Sequence, residues 1–131
     1  MDTERRRHRS ADPEVATRLQ LEQVIADFDL DTVVLADEAG RLVSGVGHDS
    51  AFDELLARES ARLAVGSHCR LLFARLSKVK PSIRPNQISA CEFRTGGRRY
   101  FVAAVSAATT MRDVGMYRAI LGIRRIQAEA A

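Results

Sequence analysis

The residue types of a hydrolytic triad stand side by side at His48-Asp49-Ser50. Consecutive side chains point in different directions, so these three cannot pass a proton to one another. Asp49 and Ser50 are instead residue types that begin helices. Asp53, three residues after Ser50, completes a pattern that resembles a capping box. The spacing therefore predicts a helix start and not a catalytic triad.

The two cysteines, Cys69 and Cys91, are the other candidates for reaction chemistry. A base such as His68 could lower the pKa of the neighbouring thiol, but a cysteine at an apolar strand position is more often a small core residue. The three histidines stand in unrelated contexts and do not form a metal-ligand pattern. Gly96-Gly97 lacks the lysine and the helix of a phosphate-binding loop. We therefore predict no enzyme activity, no metal and no cofactor.

The length and composition indicate one ordinary globular domain. The chain has 131 residues, of which 46% are apolar and 28% charged, enough for a single core. Its apolar runs are too short for a transmembrane helix, and no apolar stretch follows the arginine-rich start, as a secretory signal would require. Two cysteines are too few for a disulfide scaffold. We expect a cytoplasmic protein with no membrane partner.

The net charge of +3 conceals a division along the chain. Residues 12–59 carry twelve acids and three bases, whereas residues 60–112 carry ten bases and one acid. Such a division affects partners and association and not the fold. In the alternative interpretation the two halves interleave in the folded chain and their fields largely cancel. We predict that the acid-free basic stretch binds a partner through Arg70, Arg75, Lys78, Lys80 and Arg84.

A basic chain with a pI of about 9.3 could also bind nucleic acid. However, the sequence has no tryptophan, and Tyr100 and Phe101 lie in a strand predicted to be buried on both faces. It therefore offers no exposed aromatic platform for stacked bases. Nucleic acid is not expected as a partner, and a basic nucleic-acid binder is kept as an alternative function.

Apolar periodicity divides the chain into helices and strands. Residues 1–11 are predicted to be a disordered basic tail, 12–128 a single domain and 129–131 a second tail. Helices are predicted from about Pro13 to Phe28, from Ser50 to a stop at Gly66, and at the end of the domain to about Gln127. Strands are predicted over 32–36, 41–46, 87–94 and 98–107. Asp37 and Gly40 predict a tight hairpin with a bulge between the first two strands.

The segment after the second helix allows two structures. Alternating apolar residues at Cys69, Leu71 and Phe73 predict a strand, whereas apolar residues four apart in the same stretch predict a continuation of the helix. Continuing through Gly66 would cost about 1 kcal/mol. We favour a third strand over 68–76, and the helical alternative stays open.

Two stretches resemble the roadblock (dynein light chain) family, whose fold is profilin-like. They are Asp31-Thr-Val-Val-Leu-Ala-Asp-Glu-Ala-Gly-Arg-Leu-Val-Ser-Gly45 and Phe93-Arg-Thr-Gly-Gly-Arg-Arg-Tyr-Phe-Val-Ala-Ala-Val105. The resemblance covers about residues 13–127. It implies an α/β domain with a five-stranded antiparallel sheet, the first and last helices on one face and the second helix on the other.

The same resemblance implies a function. Roadblock proteins are non-catalytic and dimerise through the second helix and the strand after it, and many prokaryotic members regulate small Ras-like GTPases. On this sequence the dimer contact would lie at Leu55, Leu63, Leu71 and Phe73. We therefore expect a homodimeric adaptor or regulator of a Ras-like GTPase or a related signalling complex. The second alternative function is a GAF-type small-molecule sensor with a pocket beside residues 77–86.

Overall fold

Four α-helices and four strands follow one another in the part of the chain that the structure describes. The structure is a computed structural model. It describes residues 12–47, 49–66, 70–107 and 109–130, with the backbone alone for 70–73 and 109–110. The elements in chain order are α1 (Pro13–Phe28), β1 (Thr32–Asp37), β2 (Leu42–Val46), α2 (Ser50–Ala64), α3 (Arg70–Val79), a 3₁₀ turn (Pro85–Gln87), β3 (Ile88–Thr95), β4 (Arg98–Val105) and α4 (Thr109–Ala130). The predicted tail at 1–11 lies outside the described residues.

The strands form one antiparallel sheet in the order β2-β1-β4-β3. The two strands whose sequences are apolar on both faces, β1 and β4, lie at the centre as predicted, and β2 is an edge strand as predicted. The register between β1 and β2 shifts at Leu35/Ala36, and Gly40 has a φ of +82°. These features confirm the bulged hairpin, because a left-handed φ strongly favours glycine.

The prediction of a fifth strand over 68–76 was wrong, because the described part of that segment, from Arg70 onward, is a helix and not a strand. Gly66, with a φ of +74°, follows the end of α2 at Ala64, and a separate helix, α3, begins at Arg70. The alternative of a continuous second helix is therefore wrong as well. Helical spacing places Leu76 and Val79 on one side of α3, against the apolar cluster beneath α2. Leu76 is fully buried there, and this burial favours the helix.

Helices cover both faces of the sheet, in the arrangement that the resemblance implied. One apolar cluster joins α1 and α4 to one face and includes Leu21, Val33, Leu35, Val102, Ala119 and Ile123. The other joins α2 and α3 to the opposite face and includes Val34, Phe52, Leu56, Leu76, Phe101 and Ala103. Neighbouring residues of β1 and β4 alternate between the clusters, as strand geometry requires.

Carboxylates cap two of the helices. The Asp12 side chain accepts hydrogen bonds from the backbone N–H groups of Glu14 and Val15. The Asp49 side chain does the same for Ala51 and Phe52 at the start of α2. The capping residue of α2 is therefore Asp49, whereas Ser50 is the first helical residue. The last helix begins at Thr109 and continues to Ala130, three residues past the predicted end.

Candidate functional site

The residues that could do chemistry do not assemble into a reactive centre in the described part of the chain. Asp49 is a helix cap, while His48, His68 and Cys69 lie outside the described residues. Cys91 is a half-buried residue of β3. Burial raises the pKa of the Cys91 thiol, and the nearby Arg124 acts in the opposite direction. A thiol with a raised pKa stays protonated at neutral pH and is a poor nucleophile.

Over 12–47, 49–66, 70–107 and 109–130, no three His, Cys, Asp or Glu side chains come together in a way that could hold a metal ion. None of the helices in these same ranges combines the length and the apolarity needed to cross a membrane.

The predicted partner-binding bases lie on α3 and in the turn after it. We call Arg75, Lys78, Lys80 and Arg84 the basic surface; Arg70 begins α3, and its side chain is outside the description. Lys78 and Arg84 are exposed, and the described residues place no carboxylate within ion-pair distance of either. The Lys80 ammonium lies 5.6 Å from the centre of the Phe52 ring. The structure thus brings four of the five predicted bases into one region.

A buried carboxylate on α2 holds one end of the basic surface in place. Glu59 is 3% exposed, and its side chain lies 3.2 Å from Arg75 and 3.5 Å from Arg62. A carboxylate buried without partners would be strongly disfavoured, so the buried Glu59 depends on the positive charges of both arginines. Sequence reasoning missed Glu59, and the only signal for it was its spacing of three residues from Arg62.

The acidic and basic halves of the sequence meet at a few points. Glu59 pairs with Arg75, and Glu38 lies 3.9 Å from Arg99. Both pairs join an acid before residue 60 to a base after it, so the halves interleave at these places. Among the described residues, Lys78, Lys80 and Arg84 take no part in this pairing.

Arg112 anchors the other end of the basic surface. This α4 side chain is only 3% exposed, and it donates hydrogen bonds to the Ser89 hydroxyl and to the carbonyls of Asn86 and Ser106. It therefore connects α4 to the 3₁₀ turn that directly follows Arg84. Sequence reasoning missed Arg112 too, although its position four residues before the buried Met116 places it on the apolar side of α4.

The four predicted dimer residues lie on two helices, α2 and α3, although the prediction placed Leu71 and Phe73 on a strand. Leu55 and Leu63 belong to α2 and pack, half-buried, against the apolar cluster on that face. Leu71 and Phe73 belong to α3, and their side chains lie outside the description. The next strand after α2 along the chain is β3, which lies at an edge of the sheet and packs against α2.

A cavity of about 290 Å³ lies between the tips of the two hairpins and not beside residues 77–86, where a sensor pocket was expected. It is lined by Asp37, Glu38, Ala39, Gly97, Arg98, Arg99 and Tyr100. Four of these seven residues are charged, whereas sites for small organic ligands are mostly apolar. This cavity therefore does not support a GAF-type sensor.

Comparison with known proteins supports the fold. No protein-family model and no curated protein matches the chain. Among solved structures, Myxococcus xanthus MglB is similar, with a TM-score of 0.60 and 15% sequence identity over 90% of this chain and 92% of that one. An identity this low supports a shared architecture and not a shared activity. The likeness spans nearly the whole of both chains and confirms that this protein has the roadblock-like fold that its sequence resembles.

Proposed function

We propose that this chain is a non-catalytic, homodimeric adaptor or regulator of a small Ras-like GTPase or a related signalling complex. The observation that carries the proposal is the roadblock-like fold over nearly the whole chain, because roadblock proteins assemble with partners and many regulate such GTPases. The basic surface agrees with a role in binding.

The homodimer forms through α2 and the neighbouring edge strand β3. An edge strand presents unpaired backbone groups that can pair with another chain. The side of α2 that faces away from the core carries exposed residues, among them Ala51 and Arg58, with the half-buried Leu55 beside them. A helix and an edge strand together can reach the ~800 Å² per partner of a stable interface.

The basic surface binds an acidic region of the GTPase. Lys78 and Arg84 are exposed and unpaired among the described residues, and Glu59 and Arg112 hold the two ends of this surface. Opposite charges across an interface chiefly raise the association rate and fix orientation. Binding should therefore weaken as salt screens the charges.

Light scattering coupled to size exclusion tests the dimer. Ala51→Glu places charge at an exposed position on the outer side of α2 and should give monomers, whereas Leu19→Asp, at a 46% exposed position of α1, should leave the dimer intact. Circular dichroism checks that each variant is folded. A wild-type monomer at high protein concentration contradicts the dimer.

Fluorescence polarisation with the purified Ras-like GTPases of the same organism, loaded with GDP or a non-hydrolysable GTP analogue, tests the partner. The double variant Lys78→Glu/Arg84→Glu should weaken binding at least tenfold. The matched control, Arg18→Glu, reverses an exposed charge on the opposite face of the sheet and should bind as wild type does. If no GTPase binds at low salt, or if both variants weaken binding equally, the proposed partner site is wrong.

A further inference from the structure

The last helix exposes an apolar stripe that the proposed function does not use. Seven large apolar side chains are exposed among the described residues, and four of them lie on α4. We call these four the outer stripe: Met111, Val114, Tyr117 and Leu121. Tyr117 is the most exposed of them, at 63%. Single exposed apolar residues are ordinary, but a cluster on one element marks an interaction site.

Helix geometry makes these four residues one continuous strip. At 100° per residue they fall within about 120° of the helix circumference, and they extend for about 15 Å, or three turns. The core side of α4 carries Ala119 and Ile123, which are fully buried. The outer stripe lies on the opposite side of the helix.

The neighbouring helix leaves the outer stripe uncovered. α1 packs against the side of α4 that carries Gly115 and Gly122, where the side chains of Phe28 and Gln20 approach the helix backbone. A Cβ atom at Gly122 would lie 2.2 Å from the amide carbon of Gln20. Because these glycines have no side chain, α1 packs closely against this side of α4. The outer stripe lies next to this contact and faces away from the sheet.

Positive charge borders the outer stripe. Arg118 and Arg125, one turn and three turns beyond Val114, lie on the same side of α4 as the outer stripe and are exposed. The Arg118 guanidinium lies 5.9 Å from the centre of the Phe28 ring. The ion pairs of the described residues include no carboxylate on either arginine. This side of α4 therefore combines a narrow apolar strip with two exposed arginines, and the exposed Asp113 lies at the opposite margin of the strip.

We propose that the outer stripe docks an acidic amphipathic helix of a partner protein, at a site separate from the basic surface. An apolar face about three turns long fits the strip, and carboxylates beside that face would pair with Arg118 and Arg125. This mode of binding needs no strand edge and no participation of α2.

The charge of this surface favours an acidic helix over two other occupants, a second copy of this chain and an anionic membrane. A symmetric contact with a second copy would place the same patch against itself and bring the two arginine borders together. An anionic membrane would be repelled by α1, which lies beside α4 on this face and exposes Glu14, Glu22 and Asp27 against Arg18. An acidic helix is narrow enough to contact Arg118 and Arg125 without covering the acidic residues of α1.

Binding of a designed helical peptide of about 18 residues tests the proposal. One labelled peptide carries leucines along one face and glutamates beside them, and a second carries lysines in place of the glutamates. Fluorescence polarisation should show that the acidic peptide binds the full chain more tightly. Leu121→Asp, and separately Arg118→Glu/Arg125→Glu, should weaken that binding about tenfold or more.

Controls separate this site from the rest of the surface. Leu19→Asp places the same charge at a similarly exposed position of α1 and should leave peptide binding unchanged. Lys78→Glu/Arg84→Glu should also leave it unchanged, so this test and the GTPase test fail independently. Equal binding of the two peptides, or equal loss in Leu19→Asp and Leu121→Asp, overturns the proposal. Loss of self-association in Leu121→Asp, or binding to phosphatidylserine vesicles that Leu121→Asp abolishes, overturns it in favour of a second copy or a membrane.

Discussion

Arg75 of α3 reaches across to Glu59 of α2, with 3.2 Å between the guanidinium nitrogen Nη1 and the carboxylate oxygen Oε1. The carboxylate is buried, and the arginine is 47% exposed. The pair joins α2, which the sequence predicts clearly, to α3, where the sequence allows either a strand or a helix. It also makes Arg75, one base of the basic surface, part of the structure of the domain.

Removal of Arg75 should destabilise the domain, because Glu59 would then be buried with Arg62 as its remaining ion-pair partner. Since Arg75 is partly exposed, solvent screens the pair, and we expect a loss of about 1–2 kcal/mol in the free energy of unfolding for Arg75→Ala. Urea denaturation measures this loss. Arg18→Ala, which breaks an exposed pair with Glu22, is the control and should change stability by less than ~0.5 kcal/mol.

Replacement of Arg112 should have a larger effect than replacement of Arg75. Arg112→Met leaves the carbonyls of Asn86 and Ser106 without the guanidinium that now donates to them. A loss of about 3 kcal/mol is expected, since Arg112 and Ser106 are both buried. Thermal or urea unfolding measures it against Arg124→Met, an exposed arginine of the same helix. Equal stability of the two variants would show that the buried hydrogen bonds contribute little.

Two glycines with positive φ should differ in their tolerance of alanine. Gly66→Ala should cost about 1 kcal/mol through backbone strain alone, because no atom of the described residues beyond its chain neighbours lies within 4 Å of the new Cβ. Gly40→Ala should cost more, because its Cβ would also lie 3.3 Å from the carbonyl oxygen of Arg58. The difference in unfolding free energy between the two variants measures this contact. A larger loss for Gly66→Ala would contradict the geometry.

The reactivity of Cys91 should depend on pH in a definite direction. Its pKa is raised by burial, so in a Cys69→Ser background its alkylation by iodoacetamide should be slower than that of a free thiol near pH 8 and should accelerate only at higher pH. The unfolded thiol ionises at lower pH than the folded one, so the contribution of Cys91 to stability is present below the ordinary thiol pKa and is lost as pH rises through the folded value. Cys91→Ala should remove the part of the stability loss at alkaline pH that comes from ionisation of Cys91. A rate equal to that of a free thiol at pH 8 would contradict the burial of Cys91.

Local features were predictable wherever neighbouring residues decide them. Asp12 and Pro13 begin α1, and Asp37 with Gly40 makes the bulged hairpin, because caps and turns depend on a few consecutive residues. The central position of β1 and β4 followed from their two-sided apolar sequences. Four of the five bases that the sequence offers as a partner site lie on α3 and the turn after it, and their role in binding stays a prediction.

Only the tertiary structure decided the character of residues 70–79 and the partners of the buried charges. The sequence there has both strand and helix periodicity, and the helix is favoured because Leu76 is buried in one cluster with Phe52 and Phe101, which come from distant parts of the chain. Glu59 and Arg112 likewise look like ordinary surface charges until their partners, 16 and 6 to 26 residues away, are brought beside them. Periodicity and caps act over a few residues, whereas burial depends on which distant elements meet, and a sequence read locally does not contain that information.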